Sequence, residues 1–107
     1  FRFYLRQAER PTIDALPMSE QSAAALHYFS VKEAIYKVIE PPRGYSIYDI
    51  EILDPPSAVL SGEVLERVKF HGRLAEFSST VLKDNRTISA SVTRHGDWLF
   101  SVASLNL

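Results

Sequence analysis

From Ala24 to Ile39 the apolar positions recur every three or four residues. At about 100° per residue, Ala24, Tyr28, Val31, Ile35, Val38 and Ile39 fall on one stripe. The spacing predicts one long helix. Ser19 is the expected N-cap, with Glu20 in the first turn, where the helix dipole favours an anion. Pro41 and Pro42 cannot continue a helix and Gly44 supplies a turn, so the helix ends near Ile39. The stripe should face the domain's own sheet. The opposite side is not an ordinary solvated face. Leu26, Phe29 and Tyr36 lie there beside Ser30, Glu33 and Lys37, with Lys32 on the flank. A helix apolar on two sides is usually packed on two sides, so a second partner, another subdomain or a subunit, is expected.

Around this helix the pattern changes period. Phe1, Phe3 and Leu5 alternate with Arg2, Tyr4 and Arg6 as in a strand, yet Arg2, Arg6 and Arg10 also stand at helical spacing. That arginine series reads as a solvated face or, less favoured, a phosphate-binding ladder. Pro11 starts a short helical turn through Leu16, and Pro17 interrupts it. Ser46 to Leu53 alternates as a strand with Ile50 and Ile52 on one face, ended by Asp54-Pro55-Pro56-Ser57. The stretch 58–70 is open between a short helix and a strand. Leu74 to Leu82 pairs naturally with Thr87 to Thr93 across Lys83-Asp84-Asn85-Arg86. A second turn, Arg94-His95-Gly96-Asp97, precedes Trp98 to Ala103. The expected class is α+β, one long helix packed on an antiparallel sheet.

Composition narrows the function. The chain has 107 residues, 46% hydrophobic and 23% charged, enough for one domain with one core and too apolar for disorder. A net charge of −1 gives no support to a nucleic-acid or membrane-surface role. Cysteine is absent, which excludes disulfides, thiolate zinc sites and cysteine nucleophiles, and fits a cytoplasmic protein. No apolar run approaches the roughly 20 residues that span a bilayer. The first residues, Phe1-Arg2-Phe3-Tyr4, open mid-pattern without a signal peptide's order of regions, as expected for a piece of a longer protein.

The usual nucleophile and nucleotide motifs are missing: there is no Gly-x-Ser-x-Gly elbow and no glycine-rich loop after a strand. His27, His71 and His95 share no metal-ligand spacing. What remains is Lys32, Glu33 and Lys37 in an apolar setting. An exposed Glu33–Lys37 pair at i, i+4 contributes only about 0.3–0.5 kcal/mol. Alternatively Glu33 is a hard oxygen ligand for Mg²⁺, with the lysines neutralising nearby phosphate oxygens. One carboxylate is too few for a site built by this chain alone.

Phe29-Ser30-Val31-Lys32-Glu33-Ala34-Ile35-Tyr36-Lys37 resembles the signature of the 4′-phosphopantetheinyl transferase superfamily, aromatic-Ser-x-Lys-Glu-x-x-x-Lys. Ala8-Glu9-Arg10 with Leu16-Pro17 is similar to the segment that precedes that motif. Tyr48 to Ile52 resembles the strand after it, and Ser89 to His95 with Trp98 to Ala103 the closing hairpin. The larger surfactin-type and enterobactin-type enzymes are the nearest likeness. The resemblance implies Mg²⁺-dependent transfer of 4′-phosphopantetheine from coenzyme A to a serine of an acyl or peptidyl carrier protein. Glu33 matches the metal ligand, and Lys32 and Lys37 match lysines near the coenzyme A phosphates. Glu33 is the candidate base for the carrier serine, and Lys37 steadies charge at the reacting phosphate. The family's upstream Gly-x-Asp metal motif has no counterpart here, so residues 1–107 read as a single C-terminal subdomain of a pseudo-dimer. Its cleft would be completed by a missing N-terminal half or by another copy of the chain. The alternative is a non-catalytic module of the same fold that binds a carrier protein or a subunit.

Overall fold

The computed structural model describes residues 5–106. Helix α1 (Arg10–Asp14) forms as the proline signal predicts, with Pro11 in its first turn, and it buries Ile13. Pro17, in an extended conformation, then stands at the cap position of α2 (Met18–Ile39), so α2 begins one residue before the expected cap Ser19. Gln21 closes the junction by donating its side-chain amide to the carbonyls of Asp14 and Leu16. At the other end Glu40 adopts a left-handed conformation (φ 54°) and its N–H bonds to the Tyr36 carbonyl, after which Pro41 and Pro42 carry the chain away.

A single 3₁₀ turn (Ile47–Asp49) leads into β1 (Ile50–Ile52), shorter than the alternation suggested. Ile50 and Ile52 both point into the core, as their spacing requires. Helix α3 (Pro56–Leu60) follows, and β2 (Val68–Phe70) returns antiparallel to β1, with Ile50 opposite Phe70 and Ile52 opposite Val68.

One predicted strand is a helix. Residues 74–82 do not pair with 87–93; α4 (Gly72–Val81) occupies that place. Ser78, Ser79 and Thr80 give the segment a strand-like composition, but each hydroxyl donates to the carbonyl three residues earlier, which satisfies it inside the helix. Leu74 and Ser78 are buried, with Phe77 and Val81 packed alongside, at helical spacing. Strand β3 (Thr87–His95) instead pairs with β4 (Trp98–Asn106) around a two-residue turn with Gly96 at φ 63°. On its other edge, among the described residues, β3 pairs with Leu65 alone, through a reciprocal pair of bonds with Ala90.

The fold is therefore α+β, with α2 lying on the β3–β4 hairpin and a second short sheet, β1–β2, alongside. Ala24, Tyr28, Val31, Ile35 and Ile39 are buried as the stripe predicts, while Val38 is half-buried. They meet Ile88, Ala90 and Val92 from β3 and Ile50 and Ile52 from β1 in one core. The alternation of residues 1–4 lies outside the described residues. Of the arginines that follow, Arg6 is held across the fold, bonding to the Tyr48 carbonyl at 3.1 Å and stacking on the Tyr48 ring, and Arg10 reaches the nearby Leu5 carbonyl. No helix among the described residues is long and apolar enough to cross a membrane.

Candidate functional site at the seam of α2 and β4

The motif lies on the fourth to sixth turns of α2, beside the inner face of β4. There Leu99, Ser101 and Ala103 alternate toward the helix. Ser30 on α2 and Ser101 on β4 share a hydrogen bond between their hydroxyls, which ties the two elements at this level. Above that contact a groove of about 320 Å³ opens, lined by Ser30, Glu33, Ala34, Lys37, Leu99, Phe100 and Ser101. It continues along the seam into a second recess of about 440 Å³ that shares Ala34, Lys37 and Ser101 and reaches Glu40. Glu33 and Lys37 stand on its helical wall with side chains 49% and 74% exposed, Oε1 and Nζ 3.7 Å apart. Lys37 is in the last turn of α2, where the helix dipole also favours a cation.

Lys32 is elsewhere. One residue before Glu33, it turns about 100° around the helix and is fully buried, Nζ 2.5 Å from Glu9 Oε1. The Glu9 carboxylate also accepts the Arg6 N–H on Oε1 and the Ile52 N–H on Oε2, each at 2.8 Å. Burial pulls the Lys32 ammonium below the usual lysine range, opposed by the charge and hydrogen bond of Glu9. So the sequence-predicted trio divides: Glu33 and Lys37 share the groove, and Lys32 does not reach it.

A sequence model of the 4′-phosphopantetheinyl transferase superfamily matches residues 1–102. The chain belongs to that superfamily. Neither a curated protein nor a solved structure matches it. The α+β architecture, the long helix and the closing hairpin all agree with the membership.

The recess around Glu33 supplies one carboxylate, one exposed ammonium and two hydroxyls, with the Glu40 carboxylate at the far end of the seam. An exposed carboxylate is the right donor for a hard cation such as Mg²⁺. Among the described residues, however, no three His, Cys, Asp or Glu side chains gather where they could hold a metal ion. The family's metal thus fits Glu33 chemically but needs further ligands. Sequence reasoning missed Ser101 and Phe100. The signal was present, since Ser101 is the polar residue between Leu99 and Ala103 on the inward alternation of β4. Glu9 was noticed only as part of a flanking likeness, and nothing in the local pattern says that it meets Lys32 across 23 residues. A further close pair, His71 Nε2 to Glu51 Oε1 at 2.6 Å, joins α4's N-terminus to β1 and lines neither recess.

Proposed function

We propose that this chain is the C-terminal half of a 4′-phosphopantetheinyl transferase that moves phosphopantetheine from coenzyme A to a serine of an acyl or peptidyl carrier protein. The observation that carries the reading is the joint exposure of Glu33 and Lys37 on one groove while the adjacent residue of the same motif is buried. In the reaction the serine oxygen forms a bond to the pantetheine-bearing phosphorus. The bond from that phosphorus to the bridging oxygen breaks, and adenosine 3′,5′-bisphosphate leaves. Glu33 is the candidate acceptor of the serine proton and the donor this chain offers to Mg²⁺. Bound Mg²⁺ would supply charge stabilisation at the phosphoryl oxygens. Lys37, on a flexible stem, neutralises phosphate charge that grows in the transition state.

A groove with fewer than three gathered metal-ligating side chains among the described residues supports a second half that adds the missing ligands, from a longer protein or another copy of the chain. The outer face of β4 supports it too: Trp98, Phe100 and Val102 are 72%, 55% and 65% exposed beside the groove. The same incomplete ligand set is what favours the second reading, a non-catalytic module that binds carrier protein or a subunit.

The test is the intact mass of a generic apo-carrier protein after incubation with the protein, coenzyme A and Mg²⁺. A gain of one phosphopantetheine, lost in Glu33→Gln, is expected. Full activity in Glu33→Gln would end the metal and base role. Carrier binding indifferent to coenzyme A and Mg²⁺, with no transfer, would favour the module.

A further inference from the structure

Lys32 presents a problem that the transferase reading leaves open. A lysine that is fully buried carries a large desolvation cost, and well-packed apolar groups of similar volume often serve stability as well or better. Its partner is more revealing than its burial. The Glu9 carboxylate accepts from three donors in three segments: Lys32 on α2, the Arg6 N–H in the turn before α1, and the Ile52 N–H in β1. Thr12 bonds back to the Glu9 carbonyl and fixes that turn in place. These bonds are directional, unlike the aliphatic contacts of Val31, Ile35 and Ile39 on the same helix. Apolar contacts alone tolerate small rotations and repacking of a helix. A buried ion pair tied by directional donors from three segments does not.

Rotation is what matters here. Glu33 follows Lys32 directly, so the two side chains are locked about 100° apart around α2. A turn of the helix by that angle would carry Glu33 to the buried place of Lys32 and Lys32 to the buried place of Val31, off its partner Glu9. Holding Lys32 on Glu9 therefore holds Glu33 and Lys37 toward the seam with β4. On the far side the Ser30–Ser101 hydroxyl bond marks the same rotation.

We propose that Lys32 and Glu9 are positioning residues that set the rotation of α2 and so aim Glu33 into its groove, and that Lys32 does not contact the phosphates of coenzyme A. The proposal rests on the transferase reading of that groove.

The test uses the full-length protein and the double variant Lys32→Met/Glu9→Gln. It removes both charges together, so neither is left buried and unpaired. Folding is followed by the fluorescence of Trp98, and rates are referred to the folded fraction. Three quantities are read: kcat, KM for coenzyme A, and the affinity for Mn²⁺ from the signal of the free ion. The expected result is a fall of about tenfold or more in both kcat and Mn²⁺ affinity, the scale seen when residues that orient a metal ligand are changed, with KM for coenzyme A within about twofold. A second variant, Lys32→Arg, keeps the charge on a larger head and should fall in the same direction by less. A tenfold rise in KM with kcat and Mn²⁺ affinity unchanged would make Lys32 a phosphate ligand and overturn the proposal. Unchanged values of all three would reduce the pair to a stability device and overturn it equally. Glu33→Gln is measured in parallel. If that variant transfers normally, the metal and base role of Glu33 fails and the positioning role with it; if neither it nor the parent transfers, the transferase reading fails; if it is inactive while the double variant matches the parent, only the positioning role fails.

Discussion

Two ion pairs start from adjacent residues of α2 and could hardly differ more. Lys32–Glu9 joins residues 23 apart in sequence, at 2.5 Å, with both side chains buried. Glu33–Lys37 joins residues four apart, at 3.7 Å, with both side chains largely in solvent. The first is held by backbone donors from two further segments and has no freedom to bind anything else. The second contributes about 0.3–0.5 kcal/mol at most and can be given up to a ligand at little cost. The lesson is that a charged motif on one helix need not be one site. Its members are divided by what lies on each side of the helix, and a rotation of about 100° separates a buried charge from an exposed one.

The contrast can be broken most directly at Lys32. Lys32→Ala leaves the Glu9 carboxylate buried without its counter-charge and should destabilise the fold by about 3–5 kcal/mol. Urea unfolding of the variant measures it, and a loss below about 1 kcal/mol would show that the pair is not buried in solution. Next comes the chemistry of the exposed pair. Glu33→Gln should cut transfer about 100-fold or more, equivalent to roughly 2.7 kcal/mol of transition-state stabilisation.

A smaller effect probes the surroundings of the buried pair. Burial holds the Tyr28 hydroxyl above its ordinary range, with the charges of Glu9 and Asp54 adding to the shift. A group raised in the folded state contributes stability that is complete below its unfolded value of 10.0 and is lost as pH rises past it. Relative to Tyr28→Phe, the parent should therefore lose up to about 1.4 kcal/mol per pH unit above that value. Unfolding midpoints at mildly and strongly alkaline pH, compared between the two proteins, give the answer; identical slopes would remove Tyr28 from the account. The smallest expected effect sharpens the comparison from the other side. Glu33→Gln should change stability by less than about 0.5 kcal/mol, so a large loss in the same urea titration would mean that Glu33 is also structural.

Much of this was legible in the chain. The stripe from Ala24 to Ile39 placed α2 and its buried face, because helical geometry is local and its period survives in any context. Pro11, Pro17, Pro41 and Gly96 fixed where elements break or turn, again for local steric reasons. The segment 74–82 reads as a strand because hydroxyl-rich, β-branched residues suit one by composition, while their bonds to carbonyls three residues back form only once a helix exists. Ser101 could have been found from the alternation of β4. The partner of Lys32 could not, since Glu9 and Ile52 reach it only through the packing of α1 and β1.

By itself, then, the sequence determined the family, the class and the helix that carries Glu33 and Lys37, all of which rest on local spacing and on a motif of nine residues. The tertiary structure alone decided that Lys32 belongs to the core and Glu33 to the groove. Both follow from long-range contacts that desolvate one side of α2 and leave the other in water, and no periodicity within the helix distinguishes a charge that will find a buried partner from one that will not.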